Sequence, residues 1–302
     1  MHRRRALAAL SGLALAGCGR GCDHVPRREA PPPAGPDWRD LVFPSSSPAP
    51  DGQRALLLAP GGGKGLPLLV ALHGRGESGR GLDVGAHGWR DDYLVERAHH
   101  RLGAPPLTPA DLEGFSEPAR LARINASLAA HRYEGLCVAC PYTPDLPDRT
   151  PGGAADFAAF VVDQLVVRAR ADAGCLATRA ATGIDGVSMG GRLALWLGLT
   201  RPDVFGAVGA LQPAIRVDEA ERIAAMAKQA AAKAPLALRL VSSDGDPFLP
   251  AVRALSQALG AAGVAHELVE TPGPHDYAWN RGPGSVEMLL WHERILRGLP
   301  AP

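Results

Sequence analysis

The stretch that decides the fold is ATGIDGVSMGGRLALWL, residues 181–197. An apolar run leads into Gly186-Val187-Ser188-Met189-Gly190 and a helix-forming run leads out, which sets Ser188 at a strand-to-helix turn. Such a turn is tight enough that a side chain on either side of the serine would clash, so Gly186 and Gly190 have a steric reason to be there. The serine hydroxyl is then held above the sheet. The Met189 N–H faces the same space from a helix N-terminus, where partial positive charge favours an anion. In a chain with 36 glycines among 302 residues the motif alone is a weak signal, so its reading depends on the neighbouring segments.

Outward from this turn, short apolar runs alternate with helical patterns. Strands are expected at 54–58, 66–72, 136–139, 180–184, 206–211, 236–241 and 264–269, and helices at 154–171, 190–199, 218–233, 249–259 and 286–296. The run Leu66 to Leu72 is nearly continuous in its apolarity, as expected of a strand buried on both faces of a parallel sheet. The alternation predicts an α/β fold, a mostly parallel central sheet with helices on both faces. From about Gly76 to Tyr133 the rhythm breaks into paired prolines and short helical patterns, read as a cap-like insertion over the site. His87, His99 and His100, with Asp83, Asp91 and Asp92, lack a sharp ligand spacing there, so a solvated cap is expected and no metal.

Three further segments bear on Ser188. The run ending at Leu72 passes directly into His73-Gly74-Arg75-Gly76, a loop whose backbone N–H groups are placed to serve an oxyanion. The expected donors are Gly74, Arg75 and Met189, with His73 orienting the loop. After the 236–241 strand comes Ser242-Ser243-Asp244-Gly245-Asp246-Pro247-Phe248-Leu249-Pro250, in which Asp246 is the expected acid and Asp244 its competitor. After the last strand comes Pro272-Gly273-Pro274-His275-Asp276-Tyr277, which offers His275 as the base. In the order Ser188, Asp246, His275, the histidine would take the serine proton and the aspartate would fix its tautomer.

At the N-terminus, His2-Arg3-Arg4-Arg5 precedes an apolar run from Ala6 to Ala16, too short to span a bilayer as a permanent helix. The run ends in Leu15-Ala16-Gly17-Cys18, which resembles the lipobox of bacterial lipoproteins. That resemblance implies cleavage after residue 17, lipid on Cys18, and an exported protein held to a membrane through this anchor. Residues 18–50 are rich in proline and read as a tether, with Trp38 to Phe43 either packing locally or covering the domain. Residues 51–302 form the globular domain. Cys137-Val138-Ala139-Cys140 has the spacing of a redox or metal pair, but in a buried strand it reads as small core residues. A bridge to Cys175 stays open, as does any pairing of Cys22.

The His-Gly loop, the G-x-S-M-G-G turn, the Asp-Pro-Phe segment and the Pro-Gly-x-His-Asp-x-x-x-Trp segment together resemble the α/β-hydrolase superfamily. Within it they are most similar to the esterase-D-like group, over about Gln53 to Leu299. The resemblance implies a serine hydrolase that cleaves carboxylic esters through an acyl-enzyme, without metal or organic cofactor, on small-molecule or glycan-linked esters. The chain departs from the group in its long segment after His73 and in Pro274, where the group usually has glycine. A peptidase of the same fold and a non-catalytic lipoprotein that binds a glycan or a protein are the competing readings. A formal net charge of +1 and the lack of a basic stripe interleaved with aromatics argue against a nucleic-acid partner.

Overall fold

The computed structural model describes residues 37–47 and 49–302. The expected signal peptide, Cys18, Cys22 and most of the expected tether lie outside the described residues. Eight strands follow the apolar runs: β1 (Trp38–Phe43), β2 (Gln53–Leu58), β3 (Leu68–Leu72), β4 (Cys137–Pro141), β5 (Thr182–Gly186), β6 (Ala207–Leu211), β7 (Ala237–Gly245) and β8 (Glu267–Pro274). They form one sheet in the order β1-β2-β4-β3-β5-β6-β7-β8. β1 and β2 are antiparallel to their neighbours, and every pair from β4 onward is parallel.

Every residue of β3 is buried, and its side chains alternate between two cores. Leu68, Val70 and Leu72 join one core, while Leu69 and Ala71 join the other. Arg75–Ser78 (α1), Gly81–Gly85 (α2), Gly88–Asp91 (α3), Val95–Leu102 (α4) and Pro118–Ala130 (α5) follow β3. A helix over 155–173 (α6) and Met189–Thr200 (α7), Ala220–Lys233 (α8), Leu249–Ala261 (α9) and Ser285–Leu296 (α10) come after β4. Phe160, Leu165, Trp196, Ile223 and Leu255, from α6 to α9, pack with Val70 and Leu72 on the first face. On the second face Trp89, Tyr93, Leu102 and Ile124 pack with Leu289, Leu290 and Trp291 of α10.

The second face corrects the reading of 76–133 as a cap over the site. Val95, Ala98 and Leu102 recur at helical spacing along α4 and are buried, as are Ile124 and Leu128 along α5. These apolar stripes need a partner, and the sheet with α10 supplies it. The segment is one covering layer of the sheet.

Within the expected tether of 18–50, Trp38–Phe43 is a strand of the sheet. β1 pairs with β2 along its whole length, from Trp38 opposite Leu58 to Phe43 opposite Gln53. Leu41 and Phe43 are buried in the first core, and Trp38 Nε1 donates to Glu96 on α4 at 2.7 Å. Cys137, Cys140 and Cys175 are buried free thiols. Cys137 and Cys140 sit three positions apart on β4, so they face opposite cores and cannot pair.

Candidate active site

β5 delivers the chain into the turn at Ser188, and α7 carries it away. Ser188 has φ 58° and ψ −116°, a backbone that L side chains rarely adopt, and Met189 begins the helix. A Cβ at Gly190 would lie 2.3 Å from the Leu72 carbonyl oxygen, and one at Gly186 would lie 2.5 Å from the Gly190 carbonyl carbon. The two glycines are therefore required by the approach of α7 to the ends of β3 and β5. The Ser188 N–H donates to the Leu211 carbonyl at 2.9 Å, which ties the turn to β6.

The loop after β8 brings His275 over this turn, with Nε2 3.0 Å from Ser188 Oγ. Its Nδ1 lies 2.9 Å from Asp246 Oδ1. Asp246 is buried and receives two further hydrogen bonds, from Ser242 Oγ at 2.6 Å and from the Phe248 N–H at 3.0 Å. Asp246 accepts the Nδ1–H of His275, and Nε2 is left to accept the serine proton. Asp244 serves the site differently, since its Oδ1 receives the Gly273 N–H at 2.9 Å and fastens the histidine loop. Gln212, just past the end of β6, fastens the same loop, donating to the Pro274 carbonyl at 3.1 Å and to Ser243 Oγ at 2.7 Å.

The expected oxyanion donors divide. Arg75 and Met189 both start helices, so their N–H groups have no intrahelical partner. The Gly74 N–H donates to Tyr93 Oη at 3.1 Å, so Gly74 is corrected from donor to spacer. Tyr93 Oη in turn donates to Glu77 at 2.5 Å, and Glu77 also receives Tyr277 Oη at 2.7 Å. Through this buried carboxylate the loop after β3 and the loop carrying His275 are held to one another. Tyr93, Glu77, Tyr277 and Ser242 are supports that the sequence reading missed.

His73 is wholly buried and orients the loop as expected. Its Nδ1–H donates to the Gly74 carbonyl at 2.9 Å and its Nε2 accepts the Thr143 N–H at 2.8 Å. Accepting at Nε2 requires the neutral ring, and burial pulls its pKa down to about 4. Among the described residues no group of three or more His, Cys, Asp or Glu side chains is arranged to hold a metal ion. His99 from the histidine cluster packs on Tyr133, 3.2 Å from its Oη.

A serine at a strained strand-to-helix turn, with a histidine from the last strand's loop, sits at the C-terminal ends of parallel strands; the class this fold defines is the α/β-hydrolase. Residues 141–280 match the family described as Putative esterase, a span that includes Ser188, Asp246 and His275. No curated protein is a significant sequence match. Among solved structures the chain is similar to a ferulic acid esterase, at 18% identity and TM-score 0.61 over 85% of this chain and 98% of that one. It is also similar to the S-formylglutathione hydrolase of Staphylococcus aureus, at 14% identity and TM-score 0.55 over 86% and 98%. The enterobactin esterase of Shigella flexneri is similar at 17% identity and TM-score 0.55, over 86% of this chain and 61% of that one. At these identities the likenesses speak to the fold.

Proposed function

We propose that the chain hydrolyses carboxylic esters through an acyl-enzyme on Ser188, with His275 as the proton carrier and Asp246 as its orienting partner. The observation that carries this reading is the unbroken hydrogen-bonded line from Ser188 Oγ through His275 to Asp246. Ser188 Oγ attacks the ester carbonyl carbon while His275 Nε2 takes its proton. Negative charge then collects on the carbonyl oxygen, within reach of the Arg75 and Met189 N–H groups at two helix N-termini. His275 returns the proton to the departing alcohol as the carbonyl re-forms, leaving the acyl group on Ser188. Water, deprotonated by the same imidazole, then attacks the acyl-enzyme and releases the acid. Each oxyanion donor is worth about a hundredfold to a thousandfold in rate.

The test pairs p-nitrophenyl acetate hydrolysis with covalent labelling by a fluorophosphonate. Wild type should turn over the ester and take one label on Ser188, and Ser188→Ala should lose both. Undiminished turnover by Ser188→Ala would refute the assignment.

We also propose that the enzyme works outside the cytoplasm, anchored through lipid on Cys18. The support is the order Arg3-Arg4-Arg5, short apolar run and Leu15-Ala16-Gly17-Cys18. Mass spectrometry of membrane-extracted protein should find an N-terminal acylated cysteine. A mature chain that begins elsewhere and carries no lipid would rule the anchor out.

A further inference from the structure

Ser188 and Met189 open onto a cavity of about 370 Å³, large enough for a small organic substrate. Its walls come from Arg75, the segment 144–149, the face of α7 that carries Arg192 and Trp196, the segment 214–219, and Phe248. Beyond Arg75, no part of the segment after β3 contributes to it. Four guanidiniums line this cavity, from Arg75, Arg149, Arg192 and Arg216, against two carboxylates, from Asp145 and Glu219.

Each carboxylate is divided between two arginines. Asp145 meets Arg75 at 2.7 Å and Arg149 at 3.5 Å. Glu219 meets Arg192 at 2.5 Å and Arg222 at 3.0 Å. Arg216 pairs with Asp218, which is not part of the lining. A guanidinium offers five N–H donors, so a shared carboxylate leaves several of them unused. Arg192 shows this directly: its Nε–H is buried and has no hydrogen-bond partner among the described residues.

Arg192 is also fixed in place. It lies in the first turn of α7, its N–H bonded to the Ser188 carbonyl at 3.1 Å, and both residues line the cavity. Its guanidinium sits 5.5 Å from the centre of the Trp196 ring, and only 12% of its side chain is exposed. Burial depresses its pKa, Glu219 opposes that, and Arg149 and Arg216 face it closely enough to add to the depression. Three cations converging beside a nucleophile, with two carboxylates between the four in the lining, are an unbalanced site.

We propose that this pocket selects esters carrying a second, anionic group, a carboxylate, sulfate or phosphate, bound by Arg149, Arg192 and Arg216. The inference rests on the Ser188 reading above. A planar, two-oxygen anion would take up the unused guanidinium donors in pairs, an interaction stronger than one between neutral groups. The anion can belong to the acyl part or to the alcohol part of the ester, and the experiment separates these sources.

The acyl arm compares the mono-p-nitrophenyl ester of adipic acid with p-nitrophenyl hexanoate. The alcohol arm compares para-acetoxybenzoate with its methyl ester. In at least one arm kcat/KM for the anionic ester should exceed that for its neutral partner by about tenfold or more at low salt. The ratio should shrink as salt is raised to about 0.5 M. Arg192→Gln, and separately Arg149→Gln and Arg216→Gln at the more exposed positions, should each lower that ratio several-fold; the latter pair keeps the test alive if Arg192→Gln does not fold. Ser188-dependent turnover with no anionic preference in either arm, or a preference that survives all three substitutions, overturns this inference alone. Turnover that survives Ser188→Ala overturns the Ser188 reading and this inference with it.

Discussion

Asp244 and Asp246 leave the end of β7 two positions apart with opposite surroundings. Asp246 is buried, with donors on both oxygens, whereas Asp244 is exposed and holds one backbone N–H. Asp246→Asn should leave the fold intact and lower kcat by three to four orders of magnitude, roughly, because an amide stabilises the wrong histidine tautomer. Asp244→Asn keeps an oxygen for the Gly273 N–H and should change kcat by less than about threefold. Steady-state kinetics on p-nitrophenyl acetate separates the two, and a mild Asp246→Asn beside a crippled Asp244→Asn would reverse the assignment. At this scale Ser188, Asp246 and His275 are legible in the sequence because each sits in a segment of fixed local shape. Glu77 is not legible, because Tyr277, one of its two hydrogen-bond donors, lies 200 positions away and no local pattern marks it. Nor is the loss of the Gly74 N–H to Tyr93, since the tyrosine arrives from a different layer.

Among the elements, the turn between β5 and α7 stores strain at Ser188. Holding a non-glycine residue there costs on the order of 1–3 kcal/mol, and glycine can adopt the same φ and ψ freely. Ser188→Gly should therefore unfold at a higher temperature than Ser188→Ala, although both lack the hydroxyl and glycine adds unfolded-chain entropy. Calorimetry of the pair checks this, and a less stable glycine variant would mean the turn is relaxed. The covering layer over 76–133 makes the opposite prediction. Replacing it by a short glycine-serine loop uncovers Leu69, Ala71 and Val138 and strips α10 of its partner, so the product should be insoluble. A soluble product that still takes a fluorophosphonate label would show the layer to be dispensable. The strands are legible because continuous apolar runs leave few alternatives for a parallel sheet. The layer is not, because α1 to α4 are short, and their apolar residues are diluted by arginine, histidine and aspartate on the solvent side.

For the whole molecule, acid should act through histidines that are buried in the neutral state. Burial lowers the pKa of His73 and of His99 to about 4 from an ordinary value near 6.5. The unfolded chain therefore binds protons first. The stability these two groups support is complete above about pH 6.5 and is lost as pH falls toward about 4. Glu287 continues the trend. It is fully buried, and although burial works to raise its pKa, the facing Arg239 and Arg120 hold it at about 2. Its contribution is present above about pH 4.5 and fades toward about pH 2. Urea midpoints at about pH 7.5 and about pH 4.5 should drop steeply for the wild type and less for His99→Gln, which has one fewer proton to take up. Equal slopes would mean that His99 titrates normally in the folded chain.

β1 stands on the outer edge of the sheet, and its six pairs with β2 occupy backbone groups that nothing else in the described fold covers. A shortened version begun at Asp51, where the proline-rich stretch ends in the sequence, would bare the whole flank of β2, with Leu56, Leu57 and Leu58 behind it. A naked strand edge backed by leucines is a template for a neighbour's strand, so such a product should self-associate through sheet-to-sheet pairing even with Ser188, Asp246 and His275 all present. For anyone trimming this chain for expression, β1 has to be kept, and with it Asp37, which receives the Ala59 and Gly61 N–H groups.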